Sequence, residues 1–141
     1  MTLREAIIVP VGYLVAVCVS AISVLVLFSM TELVEGTGGG FTTVFRYDGE
    51  TVMAALAITA ATALVPFLIA LVILHFTGRT GWLGHVIAGM CVSLFAQFAV
   101  WFGAMPRVSD VIDSWPLTAG GAIAGFSYWA TRQVILRLLP A

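Results

Sequence analysis

Four long apolar runs, none with a charge at its centre, constrain this chain more than any other feature. They cover about residues 6–30, 52–76, 84–104 and 116–136. A helix needs about 20 apolar residues to cross the hydrocarbon layer of a bilayer. Inside lipid the backbone must satisfy its own hydrogen bonds, which leaves helices as the natural spanning element for runs of this kind. The expected fold is therefore all-α and integral to a membrane: a single transmembrane domain over residues 1–141, built as a four-helix bundle. Composition agrees. Hydrophobic residues make up 61% of the chain and charged residues 9%, and mean hydropathy is +1.10. Soluble domains carry about 45–50% apolar and about 25% charged residues. A soluble globular domain and a disordered tail are excluded on these numbers.

The first run is expected to be a retained helix. Its apolar core far exceeds the roughly 7–15 residues of a signal peptide, and no small-residue cleavage site follows it. Arginine placement then sets orientation, because basic residues concentrate on the cytoplasmic side. Arg4, Arg79, Arg132 and Arg137 fall on one side of the four spans. Arg46 and Arg107 fall on the other, among Glu32, Glu35, Asp48, Glu50, Asp110 and Asp113. Both termini are expected in the cytoplasm, and the compartment expected is a bacterial cytoplasmic (inner) membrane.

The connections differ in character. Residues 31–51 form the longest, on the extracytoplasmic side. Within it Gly36 to Gly40 is turn-rich, and Phe41 to Tyr47 is rich in β-branched and aromatic residues ahead of Asp48-Gly49. A short β-hairpin is a natural reading of that pattern, and an ordinary loop is the other. Thr77 to Gly81 is tight enough to force the second and third spans antiparallel. The third connection, residues 105–115, carries a small charged cluster at the outer face, Arg107, Asp110 and Asp113. It reads as a solvated interfacial turn, with a docking or cation-collecting rim as the alternative. Pro116 suits the first turn of the fourth helix, where a missing N–H costs nothing. Trp82, Trp101 and Trp115 fall at membrane boundaries, as interfacial tryptophans do.

Helices associate in lipid by close packing, which small residues permit. Gly12, Ala16 and Ser20 make such a stripe on the first span. Gly89 and Ser93 do so on the third, and Gly121 and Gly125 form a G-x-x-x-G on the fourth. The second span offers Ala55, Thr59 and Ala63 together with Ala57 and Ala61. Four helices closing on each other would use these faces, and so would a docked partner. Pro66, mid-span, frees a carbonyl one turn earlier and predicts a kink, with the Thr62 hydroxyl available to the broken ladder.

Candidate chemistry is sparse. Embedded ionisable residues mark ion and proton paths, and the span interiors hold none. A proton-coupled exporter of this size needs an embedded carboxylate, where the first span offers only Ser20 and Ser23. Gln97 is the one strongly polar side chain deep in a span. It can bond across to Ser20, Ser23 or Ser127 as interhelical glue, or line a site for a small ligand or a quinone headgroup. His75 and His85 bracket the tight second connection, and neutral imidazoles there could together hold a haem iron or a transition metal. Hydrogen bonding to loop carbonyls is the plainer role for both. Cys18 and Cys91 fit no metal-ligand spacing and read as small packed thiols. No H-E-x-x-H, G-x-S-x-G or P-loop occurs, so no enzyme is expected. Six scattered arginines and no lysine leave no surface for nucleic acid.

The expected role is that of a small non-enzymatic accessory or structural subunit of a larger membrane complex, or of a homo-oligomer, with no cofactor of its own. Two alternatives stand beside it. One is a haem- or metal-binding electron-transfer module using His75 and His85. The other is a small transporter or channel with a polar path along Gln97 and the Pro66 kink.

Overall fold

The computed structural model describes residues 3–34, 49–78, 81–100 and 114–138. These form four helices: α1 (Leu3–Val34), α2 (Gly49–Thr77), α3 (Trp82–Val100) and α4 (Trp115–Leu138). No strand occurs among the described residues. The helices begin and end within a few residues of the apolar runs, because continuous apolar sequence gives the backbone no reason to break. Two of them contain segments long and apolar enough to cross a membrane: Ala6–Thr31, with mean hydropathy 2.6, and Val52–Thr77, with 2.5. A shorter apolar segment, Trp82–Phe98, lies in α3. The expected hairpin at 41–47, Trp101, and the cluster of Arg107, Asp110 and Asp113 lie outside the described residues.

Local chemistry explains the helix ends. Gly78 has φ 65° and its N–H reaches the His75 carbonyl at 3.3 Å. A residue with left-handed backbone at the end of a helix is usually glycine, which has no Cβ to clash. Ser114 precedes α4, and its carbonyl accepts the Leu117 N–H at 3.0 Å. Pro116, in the first turn as expected, is fully buried. α1 passes through Pro10 and α2 through Pro66 without a break in either helix. The Thr62 hydroxyl does not serve the carbonyl that Pro66 frees. It donates to the Ile58 carbonyl at 2.8 Å.

Such back-bonding to the carbonyl four residues earlier recurs at Ser29, Thr31, Thr77 and Ser127. Each hydroxyl thereby finds an acceptor within its own helix, which suits apolar surroundings.

Neighbouring helices run antiparallel wherever side chains fix the register. In α3 and α4, Gly89 faces Gly121, and Gln97 faces Ser114 and Thr118. In α1 and α4, Gly12 faces Tyr128 and Val24 faces Gly120. α4 packs most extensively, against both α1 and α3. α2 touches α1 and α3 over much less surface. In the bundle α4 is thus packed tightly between α1 and α3, with α2 as a looser fourth wall.

Candidate functional site

The α3–α4 seam is built on glycine. A Cβ on Gly121 would lie 2.5 Å from the Gly89 carbonyl oxygen and 2.5 Å from the Ser93 Cβ. A Cβ on Gly89 would meet the Gly121 carbonyl, and one on Gly125 would meet the His85 carbonyl. The two backbones therefore touch directly, as small residues at four-residue spacing allow. On the other side of α4, Gly120 lies against Val24, and the Tyr128 ring fills the space that a Cβ on Gly12 would need, at 2.7 Å. The small residues singled out in the sequence are thus largely used within the chain. Ala16 is buried, and Ala16 and Ser20 face the centre of the bundle.

Gln97 and Ser93 reach α4 from the same face of α3. The Gln97 Nε2 donates to Thr118 Oγ1 at 3.3 Å, and Ser114 Oγ donates to Gln97 Oε1 at 2.8 Å. Ser93 Oγ donates to the Leu117 carbonyl at 2.6 Å. The amide is interhelical glue, but its partners are on the first turns of α4, not at Ser20, Ser23 or Ser127. Antiparallel register places the N-terminal end of α4 beside the C-terminal part of α3, which spacing along one helix does not show. The Ser127 hydroxyl is turned instead to the Ile123 carbonyl.

His85 sits at the opposite end of α3, about 18 Å from Gln97 by helical rise. Its side chain is only 5% exposed. Nδ1 is 2.9 Å from the Gly81 carbonyl oxygen, which can only accept, so Nδ1 carries the proton. The imidazole stacks on the Tyr128 ring, with centroids 5.6 Å apart and planes at 25°. Tyr128 meets the edge of Phe67 at 5.2 Å, and Phe67 meets Tyr13 at 4.9 Å. One ring from each helix thus joins a chain across the bundle. Tyr13 Oη also donates to the Ala60 carbonyl, tying α1 to α2.

His75 has a different setting. It is exposed at the end of α2, with its ring against Phe76. The two histidines thus have separate ring partners, and Nδ1 of His85 is already engaged. Among the described residues no group of three or more His, Cys, Asp or Glu side chains could hold a metal ion. Cys18 and Cys91 are not disulfide-bonded and are exposed, not packed as expected. Each lies on the outward face of its helix, opposite the small residues that the seam uses.

Between the Gln97 end and the His85 end lies a cavity of about 270 Å³, lined by all four helices. Its walls are mostly Ala, Val, Leu and Gly, with Tyr13, Ser20, Thr59, Thr62, His85, Ser93, Gln97 and Tyr128 as polar members. The cavity exists because α2 stands back while the glycine seams pull the other three helices together. Sequence reading missed Tyr13, Phe67 and Tyr128. The available signal was Gly12, a residue with no side chain on a face that must then admit a ring from elsewhere. Comparison with family models, curated proteins and solved structures returns no match.

Proposed function

We propose that this chain is a small non-enzymatic integral membrane protein, crossing four times with both termini cytoplasmic, and that it binds a small apolar molecule inside its bundle. The cavity shared by all four helices carries this reading. Concave, mostly apolar sites with a few placed polar groups are the usual form of a ligand pocket. Charge supports the membrane setting: His85 and Gln97 are the buried polar side chains of α3, and the arginines of α4 stand near its end. The bacterial inner membrane is the setting that the arginine bias fits.

A second reading, that of an accessory subunit or homo-oligomer, is favoured by α2. Its outward face carries exposed Ala57 and Ala61 beside Met53, Val65 and Leu68. The small residues facing out match those facing in, Ala55, Thr59 and Ala63, so α2 could pack closely on both sides. The haem and transport readings draw less from the geometry. Gln97 is bonded at both ends of its amide, and His85 has one ring nitrogen committed.

Native mass spectrometry of the protein released from lipid nanodiscs tests both. A single chain carrying one apolar adduct is the outcome expected for the ligand reading. Retention of a second copy or a stoichiometric partner is expected for the subunit reading. A bare monomer that takes up no added apolar compound would overturn both.

A further inference from the structure

The cavity runs along the helices. Its lining runs on α3 from His85 to Gln97 and on α1 from Tyr13 to Leu25, about 18 Å in each case by helical rise. That length, walled mostly by apolar side chains, suits an extended hydrocarbon chain. At the Gln97 end the polar atoms are already paired with Ser114 and Thr118. The His85 end differs. Its imidazole is 5% exposed, its Nδ1–H is given to Gly81, and its Nε2 has no hydrogen-bond partner among the described residues. In the neutral ring that nitrogen can only accept. A buried acceptor left unmade is costly, and Tyr128 covers the ring face, so a partner must approach along the ring edge.

We infer that the cavity takes a single-chain amphiphile whose headgroup donates a hydrogen bond to Nε2 of His85, with its hydrocarbon tail lying along α3 towards Gln97. A hydroxyl headgroup meets this requirement. A purely carbonyl headgroup, such as that of an oxidised quinone, brings an acceptor to an acceptor and does not. The inference rests on reading the cavity as a ligand site.

The test uses the full chain in lipid nanodiscs with nitrogen-labelled histidine. It is titrated in parallel with dodecanol, dodecyl methyl ether and dodecane, which share a tail and differ in what the head can donate. Dodecanol is expected to bind about three- to tenfold tighter than the ether, the effect of one net hydrogen bond, and to shift the His85 Nε2 resonance. His85→Phe is expected to abolish that preference while dodecane binding persists. Equal affinity for alcohol and ether, with the His85 resonance unmoved, overturns the donor assignment and leaves the ligand site standing. Failure of all three probes to saturate overturns the ligand site itself.

Discussion

Gln97 is a side-chain amide with both ends occupied, next to the close glycine packing of α3 on α4. Gln97→Leu removes the bonds to Thr118 and Ser114 together. Interhelical hydrogen bonds in a bilayer contribute about 0.6 kcal/mol each on average, so the expected loss is about 1 kcal/mol. Unfolding followed by steric trapping in bicelles would measure it, and ligand uptake should persist. A loss of uptake with unchanged stability would mean that Gln97 belongs to the site and not to the seam. At this scale the sequence was partly legible. Gln97 stood out because nothing else so polar lies deep in a span, and Gly89, Ser93 and Gln97 do share a face. Its partners were not legible, since they depend on how far α4 slides along α3. The ring chain of His85, Tyr128, Phe67 and Tyr13 was hidden for the same reason: its members come from four helices and no spacing along the chain connects them.

The seam between α3 and α4 sets a sharper test. A Cβ on Gly125 would run into the His85 carbonyl, and backbone cannot swing aside as a flexible side chain can. Gly125→Ala should force the helices apart at a cost of about 1–3 kcal/mol. Gly49→Ala is the control, because a Cβ there meets nothing within 4 Å, and it should change stability by no more than about 0.5 kcal/mol. Thermal unfolding of both variants in one detergent would check the contrast. Similar midpoints for the two would mean that the seam is not held by backbone contact. The elements themselves were readable from hydropathy to within a few residues at each end, because apolar length decides where such helices run. Whether Gly121 and Gly125 faced inward or towards another protein was not readable. Small residues suit either neighbour, and only the packed structure shows that α3 occupies that face.

For the whole molecule, orientation is the property most open to measurement. The proposed topology puts Arg4, Arg79, Arg132 and Arg137 in the cytoplasm, so reporter fusions at the C-terminus and after Gly78 should both register as cytoplasmic. A fusion near Asp48 should register outside, and a cytoplasmic signal there would reverse the proposed topology. The unequal packing of the four helices has a further consequence, in time instead of space. α4 holds most of the contact surface of α1 and α3, yet among the described helices it comes last in chain order. Until it arrives, the small-residue faces of α1 and α3 lack the neighbour that covers them, and α2 is only loosely attached to either. The three earlier described helices must therefore wait as loosely joined rods, and the bundle closes only once α4 has been made. A ribosome stalled ahead of Ser114 would leave an open bundle, so the integrity of the fold is decided at α4.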